Sequence, residues 1–306
     1  MGSIRVTAFP DDLVSPPPRL RVGIVGSGRV GAVLGAALRR TGHDVTAVSA
    51  RSDLSRVRAE ALLPGVPIVA PTEVPAGADL VMVAVPDDHL ARVVNDLRPV
   101  VAAGQIVMHV SGRHGLDILA PLVGAVPIAA HPVMTFTGTS LDLGRLEDCP
   151  FGVTASDAAY PIAAALVVEM GGDPIRVDDA ERIAYHAALA HGANHLVTLV
   201  AQTLDLLDEA GVEDPARMAR PLLAAALDNA LREGDRALTG PVARGDVATV
   251  RAHLQQLTDP DLAAAYRAMA RATVRRAVAS GMLSPAAAEP LIDLFDTRLP
   301  DEDAAE

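Results

Sequence analysis

The sequence predicts an α/β domain with a mostly parallel sheet, followed by an all-α domain. Three observations support this. Up to Val177, short apolar runs that end in Gly, Pro or Ser alternate with helical stretches, the pattern of a parallel sheet covered by helices. Beyond Val177 the strand-like runs stop and helical segments with start signals follow one another. The length, 306 residues, is more than one compact core needs and suits two domains.

Taken in order, residues 1–18 hold Asp11-Asp12 and Pro16-Pro17-Pro18 and read as a flexible arm that builds no core. The α/β domain is expected over 19–178. Its strands are read at Arg21–Val25, Val45–Val48, Asp79–Val85, Gln105–His109, Val126–Ala130, Phe151–Thr154 and Pro174–Val177, with a helix over Val30–Arg40. The helical domain is expected over 179–299. Asp178 or Asp179 caps a long first helix running to about Ala210, where Gly211 ends it. Asp214-Pro215 starts a second, with Asp as N-cap and Pro in the first turn. Asp246, Asp259 and Ser284-Pro285 open three more, and 300–306 is an acidic tail.

Gly26-Ser27-Gly28-Arg29-Val30-Gly31 is G-x-G-x-x-G. It follows a strand and opens a helix at the start of a βαβ unit, the context in which the motif marks a dinucleotide-binding Rossmann domain. The first glycine makes the tight turn, the second lets the backbone approach a pyrophosphate, and the third lets helix and strand pack closely. The helix N-terminus then turns its free N–H groups toward the phosphates. The end of the second strand distinguishes the two common dinucleotides. An NAD site places Asp or Glu there for the ribose 2′-hydroxyl. Here the residues are Ser49-Ala50-Arg51-Ser52. Arg51 suits a 2′-phosphate by charge and fork geometry, and Ser49 and Ser52 can add hydrogen bonds; a solvated loop arginine is the other reading. Arg29 either touches phosphate or is an exposed arginine at a helix start. Val85-Pro86-Asp87 closes the Asp79–Val85 strand at the ligand edge, so it borders the cofactor's inner ribose or nicotinamide, or Asp87 simply caps the next helix. The expected cofactor is NADP(H).

Composition narrows the rest. The net charge of −12, without a basic run longer than an arginine pair, argues against nucleic acid and anionic membranes. An aromatic fraction of 2% leaves little for base stacking. A single cysteine, Cys149, fits a reducing compartment. With no signal-like N-terminus and no apolar run long enough to span a bilayer, the expectation is a cytoplasmic protein acting on a small molecule. His191 and His195 stand four apart, a metal-compatible spacing on a helix, but no cysteine or acid accompanies them and no metal is expected. All 26 basic residues are arginine; the chain has no lysine.

Four further stretches carry a resemblance. They are Val107-Met108-His109-Val110-Ser111-Gly112; His131-Pro132-Val133-Met134-Thr135-Phe136-Thr137-Gly138; Tyr185-His186-Ala187-Ala188 with Asn194; and Leu238-Thr239-Gly240-Pro241-Val242-Ala243-Arg244-Gly245-Asp246. With them the chain resembles the actinobacterial Rossmann-like proteins that bear a C-terminal helical domain of unknown function, within the 6-phosphogluconate-dehydrogenase C-terminal-like superfamily. More distantly it is similar to pyrroline-5-carboxylate reductase, prephenate dehydrogenase, ketopantoate reductase and the deazaflavin-dependent NADP reductases. The resemblance implies NADP(H) redox chemistry at an interdomain cleft and a homodimer formed through the helical domain.

A hydride reductase needs a proton donor for the developing anion. In ketopantoate reductase that donor is lysine, so here it must be His, Tyr, an acid or water, with histidine the first choice because it changes charge near neutrality. His131 resembles the His-Pro stretch that borders the prephenate dehydrogenase site; a structural, backbone-bonded histidine is the alternative. Ser111 ends a strand at the ligand edge, where it holds a substrate oxygen or serves only the turn. By analogy with the helix that carries lysine and asparagine in related enzymes, His186 replaces the lysine and Asn194 orients substrate, or His186 packs in a dimer interface. Arg244 can clamp a carboxylate, or the Gly/Pro-rich linker around it serves packing alone, and Asp246 caps a helix. The expected reaction is reduction of a small carboxylated carbonyl, ketopantoate-like, or of an imine. A deazaflavin-linked NADP oxidoreductase and a non-catalytic NADP-binding sensor are the alternatives.

Overall fold

The computed structural model describes residues 19–296; the expected arm at 1–18 and acidic tail at 300–306 lie outside them. The chain runs β1 (Arg21–Val25), α1 (Arg29–Arg40), β2 (Asp44–Ser49), α2 (Asp53–Leu62), β3 (Leu80–Val83), α3 (Asp87–Leu97), β4 (Ile106–His109), β5 (Val126–Pro132), α4 (Leu141–Arg145), β6 (Pro150–Ala155), α5 (Tyr160–Glu169) and β7 (Asp173–Arg176). Helices then follow alone: α6 (Arg182–Glu209), α7 (Pro215–Glu233), α8 (Gly240–Arg244), α9 (Val247–Gln256), α10 (Pro260–Ala279) and α11 (Pro285–Asp296). Two compact units result, one up to Gly192 and one from Ala193.

The first unit is a seven-stranded sheet of order β2-β1-β3-β4-β5-β6-β7. Every pairing is parallel except β5 with β6. All four residues of β3, Leu80-Val81-Met82-Val83, are buried, as a strand covered by helices on both faces requires. Ile24, Leu34, Leu38 and Met82 pack on one side of the sheet and Val81, Val83, Leu90 and Val94 on the other. Each such side chain withdrawn from water contributes roughly 1.5–3 kcal/mol. The strand order reverses at β1, so a crevice opens beyond the C-terminal ends of β1 and β3, where such sheets bind ligands.

Two boundaries differ from expectation. The Asp79–Val85 strand is shorter: Asp79 stands just before it, its backbone bonded to Arg21 and Ile106 and its carboxylate holding the Arg21 guanidinium at 2.7 Å, and Ala84–Pro86 forms the loop into α3. The long helix starts at Arg182 rather than beside Asp178 or Asp179. The Asp179 carboxylate instead accepts the Leu116 backbone N–H at 2.7 Å, and a short 3₁₀ turn precedes the helix.

In the second unit, Asp214, Asp246 and Asp259 cap α7, α9 and α10 by accepting N–H groups of their first turns, as the sequence predicts. Val250, Leu254, Val274, Leu291 and Phe295 form its core. α7 buries only Ala219, and α6, 28 residues long, buries only Arg182.

Candidate functional site

The Gly-rich turn joins β1 to α1. Gly26 sits at φ +100°, a conformation open to glycine and costly for a side chain. A Cβ on Gly31 would overlap the Gly26 carbonyl, and at Gly28 it would meet nothing within 4 Å. Gly31 therefore serves packing, while Gly28 leaves free the approach a pyrophosphate needs. No side chain caps α1 and no acid stands in its first turn, so its N–H groups remain available to an anion. The turn is braced from inside. Ser49 Oγ accepts the Gly26 N–H at 3.0 Å, the Ser27 N–H reaches the Ser49 carbonyl at 2.9 Å, and buried Ser27 donates its hydroxyl to the Ser55 carbonyl at 3.0 Å. Ser52 caps α2 in a reciprocal capping box with Ser55. Arg51 is exposed at the end of β2. These residues fit a dinucleotide phosphate: an open backbone cradle at a helix N-terminus, and a cation where an NAD site would carry an acid.

Val85 and Pro86 follow β3 and Asp87 is the first residue of α3, with Pro86 in the capping position. Asp87 thus lies in the first turn rather than capping it, and its carboxylate stands 3.6 Å from Arg113 Nε.

The loop after β4 is shaped by His109, which is wholly buried. Its Nε2 faces the Gly115 carbonyl at 3.0 Å, and its Nδ1 accepts the Ser111 N–H at 3.2 Å. Nδ1 as acceptor leaves the proton on Nε2. Burial, joined by the charge of Arg182, pushes this histidine down to about 4, so it is neutral. Ser111 is buried, and its hydroxyl accepts the His114 N–H at 3.2 Å.

Next to that loop, β5 and the first turn of α6 bring together His131, Tyr185 and His186. His131 Nδ1 lies 2.9 Å from the Tyr185 hydroxyl. The His131 ring meets both the Tyr185 and the His186 rings edge-on, at centroid distances of 5.8 and 6.1 Å. A Cβ on Gly112 would lie 2.5 Å from His186 Cδ2 and 3.0 Å from His131 Nε2, so only glycine fits between the loop and the two histidines. Burial, then the charges of Arg182 and His186, depress His131 to about 4. At neutral pH it is an uncharged imidazole. The expectation of a histidine that switches charge near neutrality therefore does not describe His131, which offers a proton only as a neutral N–H.

Below these rings lies Arg182, 1% exposed. It donates to the carbonyls of His114 (3.1 Å), Gly152 (3.0 Å) and Ser111, and to Thr154 Oγ1 (3.3 Å). It ties the loop after β4, β6 and α6 together through neutral acceptors. Sequence reasoning missed Arg182, and it used Tyr185 only as part of a matching stretch. Asn194 and Arg244 belong to the second unit and are both exposed; Arg244 is the last residue of α8.

A family model described as a Rossmann-like domain matches residues 8–132, and one described as a domain of unknown function, DUF2520, matches 149–273. A curated glycerol-3-phosphate dehydrogenase [NAD(P)+] from Bradyrhizobium is 28% identical over 169 residues, 51% of this chain and 51% of that protein. The chain thus spans about half the length of the curated relatives it matches. Among solved structures, a Bacteroides fragilis protein provisionally named an NADP oxidoreductase has a TM-score of 0.72 at 20% identity, covering 83% of this chain and 98% of that one. The Plasmodium falciparum pyrroline carboxylate reductase with NADP bound has a TM-score of 0.53 at 12% identity, covering 90% and 98%. Prephenate dehydrogenase from Aquifex aeolicus shares the fold as well. At these identities the solved structures establish the fold. Among the described residues no helix is long and apolar enough to cross a membrane. The chain carries a Rossmann-like domain followed by a helical region matching DUF2520, and NAD(P)-dependent oxidoreductases recur among its relatives and structural neighbours.

Proposed function

We propose that this protein is an NADPH-preferring oxidoreductase that reduces the C=O or C=N group of a small carboxylated molecule. The observation that carries this reading is the pairing of an open Gly28 cradle at the α1 N-terminus with Arg51 at the end of β2. The glycines take the pyrophosphate and Arg51 takes the 2′-phosphate. Ser49 shapes the turn through Gly26, and Ser52 caps α2 next to Arg51. The names of the Bradyrhizobium, Bacteroides and Plasmodium proteins support redox chemistry with such a cofactor.

When bound, the reduced nicotinamide supplies hydride to the substrate carbon. The residues at the ends of β4 and β5 complete the reaction. His131 stands there as a neutral donor and His186 beside it, while the loop holding Ser111 orients the acceptor. With no lysine in the chain, the proton comes from this histidine group.

We also propose that a second copy of the chain covers α6 and α7. Val197, Leu222 and Leu231 are 70, 72 and 80% exposed. Helices gain most of their stability from packing an apolar face, and these two bury one side chain each.

The test is a titration with NADPH and NADH, then turnover of NADPH against 2-oxo acids and cyclic imines. Tighter NADPH binding with turnover of one class supports the reading. Equal affinity for the two dinucleotides overturns the cofactor assignment, and tight NADPH binding without turnover of any member overturns the reductase.

A further inference from the structure

We propose that Tyr185 is a positioning residue: its hydroxyl, seated on Gly152, donates to His131 Nδ1 and thereby presents His131 Nε2 as an N–H beside Gly112, where it protonates the substrate. The proposal rests on the reductase reading above.

Three features hold the geometry. First, β5 and β6 place Gly152 directly opposite His131. A Cβ at Gly152 would overlap the Tyr185 hydroxyl, so the absence of a side chain there is what admits the phenol to Nδ1. Second, among the described residues the Tyr185 hydroxyl has one hydrogen-bond partner, Nδ1 at 2.9 Å, and burial keeps the phenol protonated. The phenol proton is therefore directed to Nδ1. A neutral imidazole that accepts at Nδ1 carries its proton on Nε2. Third, Arg182 locks the floor. Its guanidinium carbon lies 5.6 Å from the Tyr185 ring centroid, and its bonds to the Ser111, His114 and Gly152 carbonyls fix the loop and strand on either side of His131.

The charged and titratable groups around the pair favour the same state. Burial, then Arg182 and His186, disfavour a charged His131, and Asp87 opposes them without prevailing. Burial raises Tyr185, with Cys149 adding to the rise and Arg182 working against it. At neutral pH the phenol is therefore protonated and the imidazole uncharged.

The proton movement balances. As the substrate carbon accepts hydride, the Nε2–H bond breaks and an O–H or N–H bond forms on the adjoining heteroatom. Nδ1 takes the Tyr185 proton, so the imidazole is neutral before and after. The phenolate faces Arg182 until water reprotonates it.

The experiment is ¹⁵N NMR of the full chain labelled at histidine, with His131 assigned by His131→Gln. The ¹⁵N shifts report the tautomer without any substrate. Wild type is expected to show the neutral Nε2–H form from pH 8 down to about pH 5. Tyr185→Phe is expected to shift His131 to a mixture of tautomers while NADPH affinity changes less than twofold. Gly152→Ala, which displaces the hydroxyl and leaves Tyr185 in place, should do the same. On any substrate the panel identifies, Tyr185→Phe should lower kcat at least tenfold with KM for NADPH unchanged. A wild-type Nδ1–H tautomer, or an unchanged tautomer in both variants, overturns the proposal. If the tautomer responds as expected but no substrate turns over, the reductase reading fails and the positioning role of Tyr185 stands.

Discussion

Acidification from pH 7.5 to pH 5 should destabilise the first unit in a window set by two buried histidines. His109 and His131 are both held down to about 4 in the folded protein, against 6.5 for a free imidazole, and in both the main cause is burial. In the unfolded chain each takes a proton as pH falls through 6.5, whereas in the folded chain each waits until about 4. Between those values the unfolded state binds more protons, so stability rises with pH there. The contribution is complete above 6.5, declines below it, and is gone below about 4. At pH 5 each histidine has lost about 2 kcal/mol, and the pair about 4 kcal/mol, as an order of magnitude. The slope inside the window approaches ~2.7 kcal/mol per pH unit, two protons' worth. Asp79, held near 2 by the Arg21 guanidinium, is released only below its own unfolded range and leaves this window clear. The assay is urea denaturation followed by far-UV circular dichroism, since the chain has no tryptophan, at half-unit pH steps. His109→Gln should remove about half of the slope. A transition midpoint independent of pH between 6.5 and 5 would refute the argument that these two imidazoles are neutral and desolvated.

Three other outcomes follow from the geometry. Arg51→Ala should weaken NADPH about tenfold or more, ~1.4 kcal/mol, and leave NADH within twofold; isothermal titration would expose the error if both fell equally. Gly138, at φ +79°, would place a Cβ 2.7 Å from Arg58 Nε and 2.8 Å from Arg29 Cγ. Gly138→Val should therefore disturb the start of α1 and lower dinucleotide affinity about tenfold, and unchanged affinity would show that this loop does not brace the phosphate turn. Leu222→Glu with Leu231→Glu should shift the protein from dimer to monomer in light scattering. A wild type already monomeric at micromolar concentration would contradict a second copy on these helices.

Much of the fold was legible because its signals are local. Each of the seven strands lies where a short apolar run ends in a turn residue, and Asp214, Asp246 and Asp259 cap helices within three residues of themselves. Boundaries were misread where a long-range bond competed. Asp179 had the spacing of a cap, but its carboxylate satisfies Leu116, 63 residues away in sequence. Of the two readings of Asp87, the helix cap fails, since Pro86 takes the capping position and Asp87 is the first residue of α3.

The sequence by itself determined the Gly-rich turn, since G-x-G-x-x-G encodes a backbone shape through three missing side chains, and the presence of an arginine rather than an acid just beyond β2. Only the tertiary structure decided the state of the histidines. His131 and Tyr185 meet across 54 residues because Gly152, on a third segment, leaves room for the hydroxyl. Arg182 is held by carbonyls, and every residue has a carbonyl, so no residue type in the sequence marks its partners. Whether an imidazole is charged depends on the water and charges around it, and those are fixed only when distant segments pack.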